Sequence, residues 1–435
     1  MLKYYFLLGL RSLRRNPALT ALMILTLAVG VAASVSTLTI LHVMSGDPIP
    51  HKSNRLFTPV LDNGATKGYV PGAKPGDTQL SYTDAMNLLA SKQGERRAAL
   101  YGVEMAIEPA RKDLGAMSSA GSAASSDFFA MLDTPFLYGQ AWNADSDTKA
   151  EDVVVLGRSL SEKLFGNSNP VGQSLVMIGH QFKIVGVLDT WEPSPRFYRA
   201  SDAFGVYDQF FIPFSTAIRH EITHDGGMSC SGGATKPGWQ GRLESECTWL
   251  SFWFELKSPS QRQDLQAYLD NYAKEQYKLG RFQRQAKNQL FNVMEWLEEA
   301  KVVGNDNRLS AWLAFGFLLL CLVNTVGLLL AKFSVRASEV GVRRALGASR
   351  REIFTQFLIE SSVIGLVGGV LGLLMAFGAL ALIAMQSKEL TVVAHMDWEM
   401  LALTFVMSIC AAILAGLFPT WRACQVTPAI QLKSQ

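Results

Sequence analysis

Lys332-Phe-Ser-Val-Arg336-Ala-Ser-Glu339-Val-Gly-Val-Arg343-Arg344-Ala-Leu346-Gly347-Ala-Ser349-Arg-Arg-Glu352 is a compact, mostly basic stretch lying between two long apolar runs, 309–331 and 357–385. Each run meets the ~20 residues needed to cross a hydrocarbon core of ~30 Å. A soluble protein has no use for a charged element wedged there, whereas a membrane protein moved from the cytoplasm does. Glu339 and Arg343 stand i,i+4 in the favourable order, and Val335, Val342 and Leu346 share a helical face. Gly347 can end the helix, and Ser349-x-x-Glu352 is a capping box that opens the next one. The stretch reads as short helix, tight turn, long helix, with little slack in which motion would be lost.

Two further apolar runs, 18–44 and 401–419, complete the expected architecture. It is an α-helical membrane domain of four transmembrane helices, one before and three after a large mixed α/β extracytoplasmic domain of two subdomains. The expected order is a cytoplasmic amphipathic helix (1–17), a first span (18–44), the external domain (45–308) and a second span (309–331). A cytoplasmic coupling segment (332–356), a third span (357–385), an external loop (386–400), a fourth span (401–419) and a cytoplasmic tail (420–435) follow. The first run exceeds a signal-peptide core and no small-residue cleavage site follows it, so it reads as an uncleaved anchor.

Charge sets the orientation. Lys3, Arg11, Arg14 and Arg15 precede the first run without an acid, Arg422 and Lys433 follow the last, and the coupling segment is rich in arginine. Basic excess marks the cytoplasmic side, which places both termini and the coupling segment in the cytoplasm and the large domain outside it. The net charge of +3 is an average over unlike compartments and gives no reason to expect nucleic acid. Lipid is the expected surrounding of the spans.

The external domain alternates strand-like stretches (55–60, 99–107, 153–156, 182–187, 206–212 and 249–256) with helix-like ones (82–91, 159–165, 265–279 and 285–302). Cys230 and Cys247 both fall in this oxidising compartment, where a bridge between them would contribute ~3 kcal/mol. Two free thiols or a metal site are the alternatives. In the spans, Gly365, Gly368, Gly369 and Gly372 form overlapping small-xxx-small patterns that suit packing within one subunit or between two. Asn324 and Glu360 are isolated polar groups, and Glu360 lies close enough to the inner end to be interfacial.

His220-Glu221-Ile-Thr-His224 matches H-E-x-x-H, which on a helix would set two imidazoles on one face to hold zinc, with the glutamate as general base. The space before Gly226-Gly227 allows barely two turns and no third ligand follows, so coincidence is the expected reading and a zinc peptidase the remote one. No G-x-x-x-x-G-K-[ST] phosphate loop occurs anywhere. No cofactor is expected on this chain, and any ATP and Mg²⁺ would bind another.

Several spaced motifs then carry a resemblance. Glu339-Val-Gly-Val-Arg-Arg-Ala-Leu-Gly-Ala-Ser, Glu360 with the glycines after it, and the closing Gly416-Leu-Phe-Pro419…Pro428 resemble MacB/FtsX/LolC-type permeases of ATP-binding-cassette systems. So do Ser126-Asp-Phe-Phe-Ala-Met-Leu with Gly139, Leu164-Phe-Gly-Asn-Ser-Asn-Pro170-Val-Gly-Gln173, and Val185-Gly-Val187. The resemblance implies a non-enzymatic permease, paired with a second permease chain and driven by a separate cytoplasmic ABC ATPase. A periplasmic adaptor and an outer-membrane channel are its expected partners in a Gram-negative cell. It implies mechanotransmission, with Glu339, Arg343, Arg344, Leu346 and Gly347 on the ATPase-coupling surface. A regulator of a cell-wall hydrolase or signalling partner is the alternative to an exporter or extractor of substrate.

Overall fold

The computed structural model describes residues 16–64, 66, 69–70, 78–111, 113–230, 236–285 and 287–386, with the isolated positions 406, 413, 417, 420 and 421. Two compact units result, one formed by Gly46–Val302 and the other by the chain on either side of it.

The second unit is helical. Among the described residues, three helices are long and apolar enough to cross a membrane: Pro17–Ser45, Leu309–Val335 within the helix Asn305–Val335, and Arg350–Met385 within the helix Arg350–Gln386. Four were expected, and three is the corrected count. The fourth was inferred from hydropathy over a run at the short end of what spans, and 401–419 lies outside the described residues but for isolated positions. Three crossings leave the two ends of the spanning region on opposite sides, so the expectation that both termini are cytoplasmic is withdrawn with the fourth span. The amphipathic segment 1–17 also lies outside the described residues, except for Asn16 and Pro17.

The first helix packs through small residues. Ala28, Gly30, Ala32, Ser34 and Ser36 are buried along it, and Ser34 Oγ donates to the Ala314 carbonyl at 3.0 Å. Gly30 gives room to Cys321, whose Cβ would stand 2.8 Å from a methyl group added there. On the third helix, a Cβ at Gly372 would meet the Ala28 carbonyl oxygen and the Val31 Cβ, each at 2.8 Å, and one at Gly368 would meet Leu27 at 2.9 Å. These two glycines therefore serve contact with the first helix of the same chain. Gly372→Leu is expected to cost about 1–3 kcal/mol by overpacking, seen as a lower melting temperature of the purified chain, whereas Gly378→Leu, with open space at its Cβ, should not.

The unit Gly46–Val302 is built on one 11-stranded sheet. Its strands are β1 (Leu56–Val60), β2 (Leu80–Ser81), β3 (Arg96–Glu108), β4 (Met117–Ala124), β5 (Phe136–Gly139), β6 (Val153–Leu156), β7 (Ser174–Met177), β8 (His180–Leu188), β9 (Phe210–Pro213), β10 (Thr248–Glu255) and β11 (Gln289–Asn292). The order is β11-β1-β10-β3-β4-β9-β6-β8-β5, with β2 on β10 and β7 bridging β3 and β8. The β4–β9 and β6–β8 pairs are parallel and the rest antiparallel. A single sheet in a single unit replaces the two subdomains that length alone suggested.

Both faces are covered. Along β3, Ala99, Tyr101, Val103, Met105 and Ile107 enter one core while Ala98 and Leu100 enter the other, the period of two that a strand imposes. Helices Tyr82–Ala90, Arg158–Phe165 and Arg262–Lys278 supply the first core, and Asp127–Met131 and Val293–Glu299 the second. The expected helix over 285–302 is corrected: β11 fills its first part. Asn292 then caps the helix that follows, its side chain accepting from the Glu295 N–H at 2.9 Å while Glu295 accepts from the Asn292 N–H at 3.0 Å.

Charges are sunk into this unit in paired clusters. Asp208, buried at its side chain, accepts from the Tyr198 hydroxyl at 2.9 Å and from Arg199 at 3.0 Å, with Arg196 at 3.7 Å. Burial, then the Asp208 carboxylate, pushes the Tyr198 hydroxyl well above its usual range. Gly102 makes this possible, because a Cβ there would collide with the Arg199 guanidinium.

Candidate functional site

The coupling segment forms as its caps dictate. The second membrane helix ends at Val335, and the short helix Ala337–Ala345 follows directly. Its end is a Schellman turn: the Ala348 N–H donates to the Arg343 carbonyl at 3.0 Å and the Gly347 N–H to Arg344 at 3.2 Å. Gly347 takes φ +101°, with open space where a side chain would sit, so it is backbone conformation that asks for glycine. Two residues on, the Ser349 N–H donates to Glu352 at 3.0 Å and the Glu352 N–H to Ser349 Oγ at 3.2 Å. This box starts a helix of 37 residues. At ~1.5 Å per residue it runs about 55 Å, well beyond a ~30 Å core.

The short helix is held by one apolar residue and one arginine. Val340 is buried with Met23, Phe333, Ile353 and Phe357, drawn from all three membrane helices. Arg343 pairs with Glu339 at 2.7 Å and donates to Gln356 on the third helix at 3.0 Å. Of the residues expected on one face, Val335 is 76 % exposed, Val342 56 % and Leu346 82 %. Arg344 is half-buried. The segment is thus fixed from within and exposes both apolar and charged side chains, Arg350, Arg351 and Glu352 among them.

Behind it lies a buried ionic clamp. Glu360 is fully buried and lies 2.7 Å from Lys332 Nζ and 3.0 Å from Arg336 Nη1. Lys332 and Arg336, one helical turn apart at the end of the second helix, converge on one carboxylate of the third. Glu360 is thus shielded among the helices, with two cations beside it, rather than turned toward water. Sequence reading missed both partners, although their i,i+4 spacing and the lone acid in an apolar run were visible. Gly365 and Gly369 are buried further along the same helix. Asn324 is exposed on the second helix, and its side chain makes no hydrogen bond among the described residues.

Elsewhere the H-E-x-x-H spacing does not lie on a helix. Helix Phe214–Arg219 stops before His220, and Glu221 turns to φ +53°. His220 Nε2 instead meets Asp152 at 2.7 Å, and His224 packs against Trp249. Burial raises the Asp152 pKa, but hydrogen bonds from His220 and Arg219 outweigh it and leave the carboxyl below its usual range. The described residues hold no group of three His, Cys, Asp or Glu side chains placed for a metal ion. Cys230 and Cys247 are joined in a disulfide, just ahead of β10.

Comparison with known proteins matches residues 20–272 to the MacB-like periplasmic core domain and residues 311–428 to the FtsX-like permease C-terminal domain. The chain is 24 % identical over 430 residues to a macrolide export ATP-binding/permease protein MacB of Rhodospirillum rubrum, covering 98 % of this chain and 59 % of that one. It is 22 % identical over 371 residues to the pyoverdine export ATP-binding/permease protein PvdT of Pseudomonas aeruginosa, covering 85 % and 50 %. The chain spans about half the length of these relatives. Among solved structures, the periplasmic region of MacB from Actinobacillus actinomycetemcomitans aligns at 14 % identity and TM-score 0.36, covering 56 % of this chain and 92 % of that one.

Proposed function

Because the chain belongs to the MacB/FtsX family of ABC-transporter permeases, whose permease domains are non-catalytic, we propose that its coupling segment receives motion from a separate cytoplasmic ABC ATPase. The motion passes along the second and third membrane helices to the external domain, which exports or extracts a substrate at the outer face of the inner membrane. A second permease chain completes the assembly, with a periplasmic adaptor and outer-membrane channel beyond it.

The observation that carries this reading is that Val342 and Leu346, at the end of the short helix, stand exposed on a segment otherwise braced from inside. An exposed apolar strip on a capped, short helix is what a groove on a partner recognises. Arg343 braces the helix through Glu339 and Gln356, Gly347 sets the turn, and Val342, Leu346 and Arg344 make the contact.

The test is co-reconstitution with the partner ATPase. Val342→Asp with Leu346→Asp is expected to reduce ATPase stimulation roughly tenfold or more, as loss of a central apolar anchor does. The melting temperature of the permease should hold, since both side chains are already exposed. Charge reversal at Arg344 should act in the same direction. Full stimulation by the double variant would refute the assignment.

A further inference from the structure

One cluster in the external domain has no part in the coupling just described. Trp239 and Arg242 stand on the short helix Gly238–Leu243, Trp249 on β10, and His224 after the turn that breaks the H-E-x-x-H spacing. They form one continuous run of side chains. The Arg242 guanidinium lies 5.5 Å over the Trp239 ring, the two indoles are 6.3 Å apart, and Trp249 is 5.5 Å from His224. The disulfide between Cys230 and Cys247 staples the adjoining backbone.

Each member carries a nitrogen that is shut off from solvent and hydrogen-bonded to nothing among the described residues: Trp239 Nε1, Arg242 Nη1, Trp249 Nε1 and His224 Nδ1. Trp249 is 1 % exposed. Nearby side chains are already committed, with the Tyr101 hydroxyl on the Ile222 carbonyl and the Thr248 hydroxyl on that of Ser229. No carboxylate among the described residues is in ion-pair range of Arg242. Burial, then the Arg242 charge, holds the His224 pKa below its usual value, against the opposing Asp225 carboxylate and a hydrogen bond to the Gly226 backbone.

Indole and guanidinium nitrogens donate and never accept. Buried donors left unmade are expensive, and native proteins rarely gather them without a partner. Water can give a hydrogen to neutral His224, but it supplies no counter-charge for Arg242 and no hydrogen that the two indoles can accept. An oxyanion brings acceptors and a counter-charge for Arg242. We propose that Trp239, Arg242, Trp249 and His224 form a binding site for the carboxylate or phosphate group of an extracytoplasmic solute.

The experiment uses the full chain in detergent, labelled with ¹⁵N-tryptophan and titrated with inorganic phosphate or with acetate at constant ionic strength against chloride. The indole N–H signals of Trp239 and Trp249, assigned through Trp239→Phe and Trp249→Phe, should shift saturably with at least one anion. Arg242→Gln should weaken that binding by about tenfold, as loss of a charged hydrogen-bond donor does. A phosphate response alone would name a phosphoryl ligand, and an acetate response alone a carboxylate. The proposal fails if neither signal moves with either anion, or if Arg242→Gln binds as tightly as the parent. The parent titration decides by itself should the variant not fold.

Discussion

Glu360→Ala in the full chain is expected to lower its unfolding free energy by about 3–5 kcal/mol, the cost of removing one partner from a buried ion pair. The side chains of Lys332 and Glu360 are 0 % and 1 % exposed, and Arg336 shares the same carboxylate. Without it, Lys332 and Arg336 lose the carboxylate they share in a buried setting. Glu360→Gln, which keeps the shape and loses the charge, should fall nearly as far. Replacing all three, with Lys332→Met, Arg336→Met and Glu360→Leu together, should recover most of the loss, because apolar substitutes of similar volume avoid desolvation altogether. Thermal unfolding in detergent reads all three variants. A melting temperature unmoved by Glu360→Ala would show that the clamp contributes nothing. ATPase stimulation by the triple variant separates two roles. Stability without stimulation would mean that the charges, and not merely the packing, transmit motion.

Asp208→Ala should have a comparable effect in the external domain, again about 3–5 kcal/mol. Its carboxylate holds Arg199 and lies near Arg196, both buried, and receives the hydroxyl of fully buried Tyr198. Removing it leaves two guanidinium groups under the sheet with carbonyl partners, Asp202 on Arg196 and the half-exposed Asp225 at 3.7 Å from Arg199. Hydrogen exchange on the full chain should show β9 and its neighbour β4 losing protection first. Asp113→Ala is the matched control, since its pair with Arg111 stands in solvent, where such pairs are worth little. Equal exchange in the two variants would contradict the assignment.

Much of this was written locally in the chain. The coupling segment came from its own residues, because a capping box, an i,i+4 pair and a helix-ending glycine act over a few positions. What distance supplies was not legible. β4 reads Met-Ser-Ser-Ala-Gly-Ser-Ala-Ala, with no β-branched or aromatic residue, and it was missed. The structure shows why those residues are needed: a Cβ at Gly121 would collide with the Phe210 carbonyl of the adjacent strand. Tertiary fit overrode propensity there. The helical periodicity of 285–302 was real only from Val293 on, because Asn292 is a better cap than a helix interior. Glu360 was seen as polar but not as bonded, since its partners lie 24 and 28 positions away on another helix.

The pairing of β1 with β11 has one more consequence. Phe57 faces Asn292 across that ladder, and Val60 faces Gln289. The chain therefore enters and leaves the external domain at the same end of two neighbouring strands, with helix Val293–Glu299 following the second of them before the chain leaves. A domain whose ends meet in this way is an insertion closed on itself, the kind that tolerates excision and replacement. Recombination could exchange it whole at that seam and leave the helical unit intact. The external domain and the helical unit would then be free to follow separate evolutionary histories within one gene.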